Sequence, residues 1–186
     1  MAGALEGVRV LDLTTVLLGP WAAQTLGDMG ADVIKVETPA GDLMRQLGPR
    51  NSDDMGSVHL GLNRNKRSVV IDLKRAQGRD VLLTLGETAD VMMHNLRPSV
   101  ARKLSIEYGD LQSVNPDIIY CAACGFRAGG PYENKPAYDD VIQGACGLAD
   151  LQSSISGEPR YVPSAAADKI TAMAGGSAIT SALFHR

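Results

Sequence analysis

The chain has 186 residues, 45% of them hydrophobic, and a formal net charge of −3 with the two signs interspersed. A chain of this length can build one core that buries roughly 70% of its unfolded surface, and its charge balance argues against nucleic acid or an anionic membrane as the main partner. Residues 1–4 show neither a basic nor an apolar leader segment and no apolar run approaches a membrane span, so the expected location is the cytoplasm.

Residues 8–13 are largely apolar and β-prone, residues 21–29 place Ala22, Ala23, Leu26 and Met29 at helical spacing, and residues 33–36 form a second short apolar run. Strand, helix, strand in this order predicts a right-handed crossover and parallel pairing. A polar Gly/Pro-containing loop is expected over 38–56, a strand over 68–73 and a helix over 76–89 with Val81, Leu82, Leu85 and Ala89 on one side. Next come a strand over 91–94 that ends before Pro98, a helix around 108–114 closed by Asn115-Pro116, and a strand over 118–122. The alternation predicts an α/β, Rossmann-like doubly wound parallel sheet flanked by helices. Beyond it the pattern gives a loop over 125–136, a helix over 139–150, a loop over 152–163 and a helix from 167 to about 184. No linker divides residues 1–186, which read as a single domain. Its last helix runs out at His185-Arg186 without a cap or polar tail, so the chain is expected to be truncated.

Cys121-Ala122-Ala123-Cys124 matches the spacing of a redox pair or half a zinc site. Alternate strand positions place the two thiols on opposite faces, and neither a second such pair nor a nearby histidine completes a tetrahedral shell. Cys121, Cys124 and Cys146 are therefore read as ordinary thiols, and no metal is expected.

Asp168 follows Pro163-Ser164-Ala165-Ala166-Ala167 at the start of the last helix, the position of an N-cap. The same place suits a nucleophile, because a helix N-terminus favours the ionised carboxylate and small neighbours leave room for a substrate. The basic run Asn63-Arg64-Asn65-Lys66-Arg67 and Lys74 reads either as a solvated edge or as a phosphate-binding cluster. Tyr138-Asp139-Asp140 reads as paired carboxylates for acid/base work or as a helix start capped by Asp139. Glu37, at the end of the second strand, stands where a dinucleotide-binding unit has its ribose-binding acid. The glycine fingerprint is missing, since Leu17-Leu18-Gly19-Pro20 provides one glycine and then a proline.

Several segments together resemble one family: residues 5–13, Gly19-Pro20, 30–37, 63–74, Ala89-Asp90-Val91, Asn95-Leu96-Arg97-Pro98, Asn115-Pro116, Tyr138-Asp139, Gln143 and Ala167-Asp168. They are similar to the N-terminal half of the family III CoA-transferases, a group that includes formyl-CoA, carnitine-CoA and succinyl-CoA transferases and the related α-methylacyl-CoA racemases. The resemblance implies transfer of coenzyme A between an acyl-CoA and a small carboxylic acid through an aspartyl-CoA thioester, with Asp168 as nucleophile. It implies coenzyme A as substrate and no tightly bound cofactor. By the same resemblance Val16, Ile71, Lys74, Asn95, Leu96 and Lys103 contact CoA, while Leu17, Tyr138 and Asp139 border the acyl group. Leu17 replaces the glutamine of formyl-CoA transferases and Thr38 replaces an arginine that faces the nucleotide. Racemases carry a histidine where this chain has Tyr138, so transferase is favoured over racemase. Family members are interlocked homodimers of about twice this length, which leaves a non-catalytic CoA-binding fragment as a further alternative.

Overall fold

The structure, a computed structural model, describes residues 3–50 and 52–186. Its elements are β1 (Arg9–Asp12), α1 (Leu18–Asp28), β2 (Asp32–Glu37), α2 (Ser57–Leu62), β3 (Lys66–Val70), α3 (Ala76–Gly86), β4 (Val91–His94), α4 (Pro98–Leu104), α5 (Tyr108–Gln112), β5 (Ile119–Ala122), α6 (Asp139–Ala145), α7 (Leu148–Leu151), α8 (Ser153–Ser156) and α9 (Ala166–His185). The five strands pair in the order β3-β2-β1-β4-β5, and every pairing is parallel. Among the described residues no helix is long and apolar enough to cross a membrane.

Both faces of the sheet are covered, as a parallel sheet requires. Val10, Val33, Val91 and Met93 point to one face and pack with Ala22, Ala23 and Leu26 of α1 and Ala172 and Ile179 of α9. Their neighbours Leu11, Ile34, Val36 and Met92 point to the other, where Leu82, Ala101, Ile106 and Leu111 meet them. Strand order reverses between β1 and β4, which leaves a crevice beyond their C-terminal ends. The segments that follow these two strands, 13–17 and 95–97, therefore form the rim where a ligand is bound in such sheets.

That rim rests on buried charges. Lys35 Nζ, at 2% side-chain exposure, lies 2.9 Å from Asp42 Oδ2 and donates to Thr14 O at 3.0 Å. Asp42 Oδ1 accepts the backbone N–H groups of Val16 at 3.3 Å and Met44 at 3.0 Å. Val16 sits at φ +71°, a left-handed conformation that a β-branched side chain strongly resists. Lys66, equally buried, pairs with Asp12 at 2.9 Å and donates to Pro20 O and Asn63 Oδ1, both at 2.8 Å. At Gly19 an added Cβ would lie 2.2 Å from Thr14 Cβ, so the start of α1 can press against this loop only without a side chain.

The elements differ from the expected ones in places with identifiable causes. β3 begins at Lys66 and ends at Val70, instead of covering 68–73, because Asp12 and Asp32 neutralise Lys66 and Arg67 within the strand. The chain then turns at Asp72, whose Oδ1 accepts from Lys74 N at 3.1 Å. Pro98 opens α4 at its first helical position instead of only closing β4. The helix expected over 139–150 is split at Gly147, φ +82°, and the loop expected over 152–163 contains α8. Asp168 is the third residue of α9, not its N-cap, which is Ala165; Asp139 is the first residue of α6, whose N-cap is Tyr138.

Truncating Asp42 to alanine strands a buried ammonium and two backbone donors. Asp42→Ala is expected to lose about 3–5 kcal/mol in urea denaturation, in the range for breaking a buried pair from one side; a loss under about 1 kcal/mol would show that the rim does not depend on it.

Candidate functional site

Asp168 reaches the rim because α9 lies across α1 and the β5 end of the sheet with its N-terminus toward the crevice. Residues 162–164, just before α9, are held by Gln143, a side chain only 2% exposed. Gln143 Oε1 accepts Val162 N at 2.8 Å, and its Nε2 donates to Ser164 O at 3.1 Å and Asp139 Oδ2 at 2.5 Å. Asp139 Oδ1 in turn accepts Asp168 N at 2.8 Å. A carboxylate on α6 thus satisfies a first-turn N–H of α9, the task of a cap performed across space. Sequence reasoning gave Gln143 no role. Its signal was the four-residue spacing from Asp139, which stacks the two on one helix face.

Asp168 is half-buried, and burial first, then the nearby Asp139 charge, push its carboxyl up to about 6. It borders two hollows. The first, a cleft of about 280 Å³, is lined by Thr15, Val16, Leu17, Asn95, Leu96, Tyr138 and Asp168 among others. The second, a cavity of about 150 Å³, lies between Asp168, Leu18, Cys124, Phe126 and Ile142, with Arg97 and Lys135 at its walls. Leu96 continues from these into a third hollow, a largely apolar groove of about 350 Å³ that passes Thr38, Pro39, Ile71 and Leu73 to Lys74.

The predicted residues divide accordingly. Asp168, Val16, Leu17, Asn95, Leu96 and Tyr138 come together around the cleft, with Tyr138 61% exposed at its mouth. Ile71, Lys74 and Leu96 share the groove. Asp139 supports Asp168 from below. Lys103, exposed on α4, lines none of the three hollows. The Asn95 amide is engaged with the chain itself: Oδ1 accepts Thr15 N at 3.0 Å and Nδ2 donates to Thr15 O at 2.8 Å, fastening the β1 rim segment to that of β4.

Of the two readings open for the basic run, the solvated edge fits Arg64 and Arg67, which are exposed and paired with carboxylates. Arg64 pairs with Asp28, Lys66 is buried against Asp12 and Arg67 pairs with Asp32, so Lys74 alone of that group reaches the groove. Glu37 is likewise unsuited to a ribose. Burial would raise its carboxyl, but hydrogen bonds from Arg45 and Ser68 outweigh it and bring it down to about 2. Cys121, Cys124 and Cys146 are free thiols, and burial raises the first two above the ordinary range. Among the described residues no group of three His, Cys, Asp or Glu side chains is placed to hold a metal ion.

Known proteins share this chain's sequence pattern and its fold. The chain is 40% identical to a succinate–glutarate CoA-transferase of Agrobacterium fabrum over 97% of its length and 47% of the relative's. It is 39% identical to a formyl-CoA:oxalate CoA-transferase of Afipia carboxidovorans, over 100% of this chain and 44% of that one. A crystal structure of a CAIB/BAIF family protein from Brucella suis superposes with a TM-score of 0.93 at 38% identity, covering 100% of this chain and 50% of the other. The chain therefore spans about half the length of the relatives it matches. Residues 5–186 match CoA-transferase family III, and with the parallel sheet and the relatives in agreement, the chain belongs to the family III CoA-transferases.

Proposed function

We propose that this chain supplies the nucleophile and much of the CoA-binding surface of an enzyme that moves coenzyme A between an acyl-CoA and a small carboxylic acid. The observation that carries the reading is Asp168, half-buried at the junction of two hollows with a groove running from Leu96 to Lys74. Ionised Asp168 attacks the thioester carbonyl and expels CoA thiolate, giving a mixed anhydride. The thiolate attacks the aspartyl carbonyl, releasing the first acid and leaving an aspartyl-CoA thioester. An acceptor carboxylate then attacks that thioester, and the expelled thiolate takes the new acyl group, restoring Asp168. Covalent capture conserves the thioester free energy that hydrolysis would dissipate.

In this reading the apolar groove accommodates the pantetheine arm and Lys74 meets a phosphate, with Val16, Ile71, Asn95 and Leu96 along the way. Lys103 keeps its assignment as a CoA contact only if the nucleotide extends past the groove onto α4. Leu17, Tyr138 and Asp139 surround the acyl end. The cavity beside Asp168 is small, which favours short acyl groups; the curated relatives named for succinate, glutarate and oxalate support the same size class. The complete enzyme is proposed to be a cytoplasmic homodimer with no further cofactor, as the resemblance implies. Ile170, Met173 and Phe184 leave α9 with an apolar surface 65–94% exposed, suited to further polypeptide.

Tests use the longest polypeptide that carries this sequence. Asp168→Ala should lower kcat at least about a thousandfold, the scale for removing a nucleophile. Hydroxylamine added during turnover with acyl-CoA should label Asp168 in the parent protein, as read by mass spectrometry. Retained transfer in Asp168→Ala would eliminate the covalent route.

The raised carboxyl of Asp168 also fixes a pH response. The nucleophile must be ionised, so kcat/KM is expected to fall as pH drops through about 6, and Asp139→Asn should move that limb to lower pH. For stability the sign is opposite to that of a paired carboxylate. Between about pH 4 and 6 the folded state binds the extra proton, so this contribution is present below that window and lost as pH rises through it. At pH 7, Asp168→Asn should therefore be more stable than the parent, by about 1 kcal/mol after allowance for solvent screening of a half-exposed group.

Racemisation needs a second group able to exchange the α-proton near neutral pH. A phenol, as a residue type titrating at about 10 in model peptides, is poorly matched to that task, and His59, His94 and His185 line neither hollow beside Asp168. In deuterated water, a 2-methylacyl-CoA is expected to gain little α-deuterium while an added acid acquires CoA. Fast α-exchange with no transfer to any of a panel of acids would reverse the assignment.

A further inference from the structure

Leu96 lines all three hollows: the cavity beside Asp168, the cleft in front of it and the groove toward Lys74. Anything that runs from the acyl end to Lys74 must pass it. Both of its backbone polar groups are held by side chains. Leu96 N donates to His94 Nδ1 at 3.1 Å, and Leu96 O accepts from Cys124 Sγ at 3.4 Å.

His94 is only 2% exposed and lines none of those three hollows. Its partners fix its tautomer. Because Nδ1 receives a backbone N–H, it carries no proton, and the proton of the neutral ring sits on Nε2. Nε2 lies 2.7 Å from Tyr120 Oη, whose own proton goes to Ile106 O at 2.8 Å. Every donor in this chain has an acceptor, and the direction is the same throughout. Burial pushes the imidazole down to about 4, so it stays neutral and keeps Nδ1 open across the working pH range. A histidine of this kind is ill-suited to proton transfer at pH 7 but well suited to holding a backbone N–H.

We propose that His94, locked by Tyr120, is a positioning residue for coenzyme A: its bare Nδ1 sets the Leu96 peptide that joins the acyl cleft to the cofactor groove. The inference rests on the CoA-transferase reading and adds a residue that lies outside the three hollows assigned to the substrates, facing a separate hollow beside Tyr120 and Phe126. Cys124 has a place in the same device, which accounts for a thiol beside the site without redox or metal chemistry.

Two substitutions separate positioning from simple stability. His94→Asn and His94→Leu both lose the bond to Tyr120, so both lower the melting temperature. Asparagine, with Oδ1 where Nδ1 stood, still accepts Leu96 N, as Asx turns do two residues on. In the longest polypeptide carrying this sequence, calorimetric titration with coenzyme A is expected to show His94→Leu weakened by about tenfold or more, the effect of roughly 1.4 kcal/mol. His94→Asn is expected to stay within about threefold of the parent. Nitrogen-15 NMR of the parent ring should show Nε2 protonated and Nδ1 bare at neutral pH, a measurement that needs no folded variant. Unchanged CoA binding in His94→Leu, equal weakening in both variants, or a protonated Nδ1 would each overturn the proposal while leaving the transferase reading in place. A parent protein that bound no CoA would overturn both.

Discussion

The carboxylate of Asp42 is the constraint on which the rim of the sheet depends. It neutralises Lys35, whose ammonium is buried at 2% exposure, and it accepts the backbone N–H of Val16. Val16 in turn holds a left-handed conformation that its branched side chain opposes, at a typical cost of 1–3 kcal/mol for such outliers. That conformation persists because Asp42, Lys35 through Thr14 O, and Asn95 through Thr15 fix the loop from three sides. Strain at the end of β1 is thus placed where a doubly wound sheet binds its ligand.

The same logic of buried polar groups extends to Asp168. A lone half-buried carboxylate beside Asp139 is disfavoured as an anion, and the shift to about 6 expresses it. The backbone relation between the two residues is nevertheless favourable, since Asp139 accepts Asp168 N while Gln143 donates to Asp139 and spans residues 162–164. The result is a carboxylate that is well positioned and imperfectly solvated, a combination that suits the nucleophile proposed for it. His94 and Tyr120 do for the β4 segment what Gln143 does for the segment before α9.

Much of the fold was legible because the sheet is simple. Short apolar runs alternating with 3.6-residue periodicity gave the five strands and α1 and α3, the stretch from 167 to about 184 was expected as a helix without such a stripe, and the order of strands and helices gave parallel pairing. The failures occurred where tertiary charge pairing overrode local pattern. Lys66 and Arg67 look unsuited to a strand until Asp12 and Asp32 are placed beside them, and those partners lie 54 and 35 residues away. Pro98 has two local meanings, an end for β4 and a start for α4, and only one was taken. For the site, the sequence placed Asp168 at the start of the last helix, where the structure has it in the first turn, and the resemblance supplied its proposed role as nucleophile. Gln143, Lys35 and Asp42 were not legible: the spacing of Gln143 from Asp139 shows a shared helix face but not the bonds to 162–164, and the Lys35–Asp42 pair bridges a strand and a loop that no periodicity connects. The basic run of 63–67 had two local readings, a solvated edge and a ligand cluster, and only the fold shows that Asp28, Asp12 and Asp32 take up its charges.

The central claim is that Asp168 passes through an anhydride with the substrate acid, and oxygen labelling tests it most directly. During turnover with an acceptor acid carrying heavy oxygen in its carboxylate, the bridging oxygen of the anhydride must remain on the aspartyl side when CoA thiolate takes the acyl group. In a single turnover the peptide containing Asp168 should therefore gain the mass of one heavy oxygen, rising toward two with repeated turnover because each cycle exchanges one of the two carboxylate oxygens, while unreactive protein gains none. Transfer that proceeds with no label in Asp168, or with label in a different carboxylate, would contradict the account.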